Sequence, residues 1–171
     1  MGFFDRFRKK KKADDNKAAT SASQHKPLVR PVGQLEPVGA SSDSRFSPDF
    51  INALKENEVF VFGSNLSGMH GGGAARAAHK RFGAVWGKGD GHYGQSYAIP
   101  TMQGGVETIK PYVDKFVAYA KEHPELTFLV TRIGCGIAGF DDSEIAPLFA
   151  DAANLDNVKF PKSFAKYLNL E

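Results

Sequence analysis

The stretch VFVFGSNLSGMHGGGAARAAH, residues 59–79, decides the expected fold. It begins with four β-forming residues, 59–62, that carry no polar side chain, as in a strand covered on both faces. A glycine-rich loop follows at residues 63–73, and alanines then dominate as far as Phe82, which predicts a helix. Strand, glycine-rich loop and helix in this order are typical of α/β proteins.

The rest of the chain continues this alternation. Predicted strands cover residues 96–99, 126–133 and 158–160, and predicted helices cover residues 49–54, 108–121 and 141–155. Pro48 precedes the first of these helices, and Asp141 with Glu144 predicts a capping box at the start of the last. Alternating helices and buried-type strands predict a three-layer α/β/α domain with a mostly parallel mixed sheet.

Composition excludes several classes of protein. Of the 171 residues, 42% are hydrophobic and 24% are charged, as in an ordinary soluble domain. No apolar run approaches the ~20 residues that cross a bilayer, and the start of the chain lacks the apolar core of a secretory signal. The single cysteine, Cys135, excludes an internal disulfide framework and suits a reducing compartment. We therefore expect a cytoplasmic protein.

The net charge of +3 is unevenly distributed. Residues 1–45 hold ten Lys/Arg and five Asp/Glu, whereas residues 46–171 hold twelve and fourteen. The basic excess therefore belongs to the first segment, and the second carries no strong nucleic-acid signal. Residues 13–45 are rich in Ala, Ser, Pro, Gln and Lys, which predicts disorder. We expect a disordered basic tail and linker over residues 1–45 and one domain over residues 46–171.

Residues 1–12 leave two interpretations open. Phe3, Phe4 and Phe7 share one helical face and precede four lysines, Lys9 to Lys12. Aromatic residues beside a lysine run suit peripheral contact with an anionic membrane. The alternative is a solvated terminus, because the segment is shorter than two helical turns before the lysines.

The glycine-rich loop at residues 63–73 has the features of an anion site. Consecutive glycines let backbone N–H groups converge on a ligand, and the following helix directs its positive end to the same place. The loop lacks the Gly-Lys-Ser/Thr ending of a Walker motif and the clean spacing of a dinucleotide fingerprint. The alternative is a tight turn that brings helix and sheet together.

A second glycine-rich loop, residues 134–141, follows the predicted strand 126–133. Parallel strands end at one edge of the sheet, where ligands bind, so we expect both loops to clamp one diphosphate. Phe140 would stack on a sugar or base, or fill the core. No spacing of His, Cys, Asp or Glu indicates a metal site, and no cofactor is predicted.

Both loops resemble those of macrodomains. Residues 65–79 are similar to the segment in which an Asn precedes a glycine run and a helix ending in His. Residues 136–140, GIAGF, are similar to the second phosphate loop with its terminal aromatic. RIGCG at 132–136 and KRFG at 80–83 resemble the branch that includes the terminal ADP-ribose glycohydrolase. The resemblance covers roughly residues 58–155.

This resemblance implies a ligand and a set of binding residues. The ligand would be ADP-ribose, a related NAD-derived nucleotide, or an ADP-ribosylated protein. In the family the loop Asn contacts the distal ribose, and both glycine loops hold the diphosphate. The expected binding residues are Ser64, Asn65, His70, Gly71, Gly72, Gly73, Gly134, Gly136, Ile137, Ala138, Gly139 and Phe140.

The resemblance leaves catalysis unassigned. One hydrolytic branch carries an acid at the position of Ala75, and the glycohydrolase branch carries an Asp at the position of Ala138; alanine performs neither acid nor base chemistry. Binding is therefore the leading interpretation. The alternatives are an ADP-ribosyl glycohydrolase that uses substrate-assisted water, and an adaptor tethered through residues 1–12. Residues 86–95 would form a lid over the ligand or an exposed hairpin.

Overall fold

Five strands form one sheet in the computed structural model, which describes residues 44–170. In chain order they are β1 (Glu58–Ser64), β2 (Gly91–Tyr93), β3 (Ser96–Pro100), β4 (Thr127–Val130) and β5 (Val158–Lys159). Their order across the sheet is β2-β3-β1-β4-β5, and only β2 runs antiparallel to its neighbour. The central β1 pairs in parallel on both sides, with Phe60 opposite Ser96 and Leu129.

Four α-helices accompany the sheet within the described range. They are α1 (Gly73–Arg81), α2 (Val106–Glu122), α3 (Asp142–Ile145) and α4 (Ala165–Leu168). Two 3-10 segments, Ala146–Ala152 and Lys162–Phe164, lie between β4 and α4. The predicted mixed α/β class with a mostly parallel sheet is confirmed.

Both faces of the sheet are buried, as the apolar sequence of β1 predicts. Val59 and Val61 belong to a cluster with Phe116 of α2, whereas Phe60 and Phe62 belong to another cluster with α1. Alternate side chains of a strand point to opposite faces, so one apolar run supplies both clusters. Each fully buried side chain of this size contributes about 1.5–3 kcal/mol.

The helix predicted at residues 49–54 is wrong, because this segment has no regular secondary structure. The Ser47 hydroxyl donates to Val130 O (2.7 Å), and Asn52 accepts a bond from Arg81 (3.1 Å). Ile51 is buried in the cluster on the α1 side. Tertiary contacts spread along an extended segment override a weak local helix preference.

Two other elements are shorter than predicted. The capping box of Asp141 and Glu144 is present, but α3 ends at Ile145 and continues as the 3-10 segment. Pro147 lacks the N–H that would extend an α-helix at this point. The strand predicted over residues 126–133 ends at Val130, because a tight turn follows, with Ile133 N donating to Thr131 O.

Residues 86–95 contain one strand of a hairpin, which was one of the two expectations for this segment, although the bounds of β2 were not predicted. β2 pairs with β3, with His92 opposite Tyr97. Residues 1–43 of the predicted tail and linker (1–45) lie outside the described residues, and so do the expectations for Phe3, Phe4 and Phe7; Arg45 is described, and its carbonyl accepts a bond from Phe160 N. Within residues 44–170, no helix has both the length and the apolar character needed to cross a bilayer.

Candidate functional site

A cleft of about 220 Å³ opens at the edge of the sheet where β1, β3 and β4 end. The loops after these three parallel strands form its walls, which is the usual position of a ligand site in such a sheet. Its lining residues are Gly63, Ser64, Asn65, Met69, Gly72, Gly73, Ala74, Ala75, Thr101, Met102, Thr131, Arg132, Ile133, Gly134, Gly136, Ile137 and Ala138.

Asn65 shapes the first glycine loop, residues 65–72. Its Nδ2 donates to Met69 O (2.9 Å), and its Oδ1 accepts from Met69 N (3.0 Å). Gly68 N also donates to Asn65 O (2.9 Å). Both the nitrogen and the oxygen of the Asn65 side-chain amide are therefore hydrogen-bonded within the loop, and this side chain stabilises the loop conformation.

The N-terminus of α1 faces the cleft without a side-chain cap. The first helical hydrogen bond runs from Arg76 N to Gly72 O (3.0 Å). The N–H groups of Gly73, Ala74 and Ala75 precede that bond, so they have no acceptor within the helix. Gly72 occupies the N-cap position and has no side chain to accept from them. These residues line the cleft, so the positive end of the helix is directed into it.

The second glycine loop, residues 134–141, closes the opposite side. Gly134 has a φ of 72°, and a Cβ there would lie 2.9 Å from Ile145 Cδ1, so both the conformation and the space favour glycine. Ile137 is 79% exposed. Its Cδ1 lies 3.2 Å from the position of a Cβ on Gly72, so the two loops approach each other at this point.

Charge in the cleft is of one sign. Among the described lining residues there is no Asp or Glu, and Arg132 supplies the charge. The Arg132 guanidinium binds the Asp142 carboxylate through two hydrogen bonds of 2.9 Å. Burial disfavours the charged Asp142, but hydrogen bonds from Arg132 and Cys135 outweigh it and lower the pKa of this carboxyl. Asp142 therefore balances the charge of Arg132, and the cleft suits an anionic ligand through the free N–H groups of α1 and a lining without carboxylates.

Cys135 lies beside the cleft as a neutral thiol. Its Sγ donates to Asp142 Oδ1 (3.3 Å). Burial, with this hydrogen bond, raises the pKa of the Cys135 thiol to about 12. A thiolate is the reactive form of cysteine, so this environment opposes nucleophilic chemistry at neutral pH.

Eight of the expected binding residues line the cleft: Ser64, Asn65, Gly72, Gly73, Gly134, Gly136, Ile137 and Ala138. The other four, His70, Gly71, Gly139 and Phe140, do not. Phe140 packs against the core cluster on the α2 side, and His70 is only 1% exposed. The Ser64 hydroxyl donates to Gly89 O, so this group is already engaged. None of residues 86–95 lines the cleft, so this segment does not cover it.

Sequence reasoning missed several lining residues. Thr101 and Met102 follow β3, Thr131 and Arg132 follow β4, and Met69 lies inside the first loop. Thr101 could have been predicted, because it lies just beyond the predicted strand 96–99, whose end lies at the same edge of the sheet. The loop after this strand contributes the third wall of the cleft without a glycine-rich motif.

A second cavity, of about 420 Å³, adjoins the cleft. Thr131 and Arg132 line both spaces, so they form the wall between them. The second cavity is also bounded by Ser47, Pro48, Asp49, Val130, Asp142, Pro161 and Ser163. Asp49 is exposed here and follows the segment that bridges Phe46 to Phe160. No local pattern in the sequence indicates this arrangement, because residues 47–49 and 161–163 are distant in the chain.

Within the described range, no group of three or more His, Cys, Asp or Glu side chains is arranged to hold a metal ion. The site is therefore built from glycine-loop backbone, one helix N-terminus and one arginine. No protein-family model, curated protein or solved structure matches the chain.

Proposed function

We propose that this domain binds a diphosphate nucleotide of the ADP-ribose type, either free or attached to a protein. The observation that carries the proposal is the uncapped N-terminus of α1, which opens into a cleft without carboxylates. Three consecutive N–H groups and a helix dipole favour a phosphate at this point. The loop from Gly134 to Ile137 lies opposite and would hold the second phosphate.

The two cavities together support a ligand longer than a diphosphate. The cleft alone, at about 220 Å³, is below the ~300–1,000 Å³ typical of small-molecule sites. The adjoining cavity of about 420 Å³ offers room for the remainder of a nucleotide past Arg132. We further infer the three-layer arrangement of a macrodomain, supported by α1 on one face of the sheet and α2 on the other.

We favour binding over hydrolysis. Ala75 and Ala138, the two positions where hydrolytic relatives would carry acids, both line the cleft. In the part of the chain that the structure describes, no Asp, Glu, His or Cys side chain lines the cleft either. General acid–base catalysis needs such a group within hydrogen-bonding reach of the substrate. Hydrolysis would therefore depend on groups of the substrate itself.

Calorimetric titration with ADP-ribose tests the proposal. The blocking variant is Gly136→Leu, because Gly136 lines the cleft and no atom lies within 4 Å of its Cβ position. Its control is Ser67→Leu, an exposed residue of the first loop outside the cleft. We expect binding to the wild type and to the control, and its loss in Gly136→Leu. Absence of heat at high micromolar ADP-ribose, or equal binding by both variants, would refute the site.

Location and partners are part of the same proposal. We place the domain in the cytoplasm, with an ADP-ribosylated protein as a candidate partner and peripheral membrane contact through residues 1–12. Deletion of residues 1–12 tests the contact, because a tethered protein would leave the membrane fraction. An unchanged distribution would argue against tethering.

A further inference from the structure

The segment between α1 and β2, residues 84–90, packs against the first glycine loop, and we call it the strap. The strap has no helix or strand of its own. Gly87 N donates to Gly68 O (2.9 Å), and the Ser64 hydroxyl donates to Gly89 O. A Cβ on Gly68 would lie 2.8 Å from Gly87 Cα, so the two backbones are in close contact. The strap and the loop therefore support each other.

His70 is the side chain that joins them. It is 1% exposed, and its Nε2 lies 3.0 Å from Val85 O and 3.1 Å from Lys88 O. Both neighbours are carbonyl acceptors, so Nε2 is the nitrogen that carries a proton. Nδ1 is buried and has no hydrogen-bond partner within residues 44–170.

The position of His70 in the loop connects the strap to the cleft. Met69, on one side, lines the cleft, and Gly72, two residues later, is the uncapped N-terminus of α1. His70 itself does not line the cleft. Fixing its side chain to the strap therefore fixes the backbone that presents Met69 and Gly72 to a ligand.

We propose that His70 is a positioning residue, which holds the first glycine loop in its anion-binding shape by bonding the strap and touches no ligand. Its effect on affinity rests on the function proposed above. An apolar side chain would occupy this space without leaving a buried nitrogen unpaired, but it would leave the two strap carbonyls without the His70 donor. The single hydrogen on Nε2 is shared between Val85 O and Lys88 O, and so joins the loop to the strap at both carbonyls.

Three variants separate positioning from bulk stability. His70→Leu removes the Nε2–H donor, whereas His70→Gln restores a donor, because its amide nitrogen carries two hydrogens for two carbonyls. His79→Leu is the comparison, since His79 also bonds the strap, at Ala84 O, and approaches the Trp86 ring, but does so from α1 and lines no part of the cleft. The readouts are thermal midpoint, titration with ADP-ribose, and hydrogen exchange at four amides that are hydrogen-bonded in the wild type: Gly68, Met69, Gly87 and Lys88.

We expect His70→Leu to raise exchange at Gly68, Met69, Gly87 and Lys88 about tenfold, as for the loss of one hydrogen bond, and to weaken ADP-ribose binding to a similar extent. His70→Gln should return both values to within about threefold of the wild type. His79→Leu should retain wild-type exchange at Gly68 and Met69. Exchange at α2 should stay unchanged in every variant.

The two proposals fail in different ways. Wild-type exchange at Gly68 and Met69 in His70→Leu, or no recovery in His70→Gln, would overturn the role of His70. Lack of ADP-ribose binding by the wild type would overturn the proposed function, while the exchange data would still decide whether His70 shapes the loop. Trp86 is the only tryptophan of the chain and lies in the strap, so acrylamide quenching of its fluorescence gives a second, independent measure of strap opening.

Discussion

Substitution of Gly89 by Ala should destabilise the protein through a clash between two backbones. A Cβ on Gly89 would lie 2.9 Å from the carbonyl carbon of Asn65, closer still to its oxygen, and 3.1 Å from Gly68 N. None of these atoms belongs to a flexible side chain that could turn away. The strap must therefore move off the first glycine loop.

The magnitude follows from the interactions that the displacement removes. Overpacking of this kind costs about 1–3 kcal/mol. Moving the strap also breaks the hydrogen bonds from Ser64 to Gly89 and from Gly87 to Gly68, at about 0.5–1.5 kcal/mol each. The strap can open locally without unfolding the domain, and this limits the loss of stability. We therefore expect a decrease of about 2–4 kcal/mol in the free energy of unfolding. For a domain of this size that corresponds to about 8–15 °C in thermal midpoint.

Two other glycines provide matched controls. Gly87 has a φ of 85° but open space around its Cβ position, so Gly87→Ala should show only the cost of a left-handed backbone, about 1–2 kcal/mol. Gly71 has neither a positive φ nor a neighbour within 4 Å, so Gly71→Ala should be close to neutral in stability. Calorimetric unfolding of the three variants should rank them Gly89, Gly87 and Gly71. A midpoint for Gly89→Ala within about 1 °C of that for Gly71→Ala would refute the packing of strap on loop.

Three further predictions concern single side chains. Asn65→Ala should weaken ADP-ribose binding about tenfold through loss of the two bonds to Met69, and Asn65→Asp, which keeps the acceptor but adds a carboxylate to the cleft, should weaken it further in titration calorimetry. Burial and the nearby His123 lower the pKa of His92, so the unfolded chain binds more protons below about pH 6.5. The thermal midpoint should therefore fall from pH 7 to pH 5, and His92→Gln should flatten that dependence. Since its pKa is raised to about 12, Cys135 should react with iodoacetamide at pH 8 at least tenfold more slowly in the folded protein than in urea, as mass spectrometry would measure.

The sequence predicted the parts of the fold that depend on local signals. The apolar run of β1, the glycines after it and the alanines of α1 are each local features, and the structure contains all three elements. A hairpin was one alternative for residues 86–95, but the bounds of β2 could not be predicted, because its stability comes from pairing with β3 and nothing within residues 91–93 indicates that partner. The end of α3 was predictable in principle, because Pro147 cannot donate the next helical bond.

The candidate site divides in the same way. Gly72 and Gly134 could be predicted as site residues, because each lies in a glycine-rich loop between a strand and a helix, where phosphate sites commonly form. The role of His70 could not be predicted, since its partners Val85 and Lys88 belong to a segment without periodicity. A histidine beside glycines is usually a polar surface residue, but the contact with the strap buries His70. Prediction of Thr101 as a lining residue would have required the strand order, in which β3 lies next to β1.

Binding and turnover place opposite demands on this cleft. Under the proposed function the N–H groups of α1 stabilise the anion, and a carboxylate at the position of Ala75 would compete for the same N–H groups. A hydrolase accepts that competition because it needs an acid or base next to the scissile bond. With alanine at both Ala75 and Ala138, the positive end of the helix stays free for the phosphate. If the cleft binds the nucleotide as proposed, it lacks the group that would cleave it, so we expect the nucleotide to be retained rather than hydrolysed.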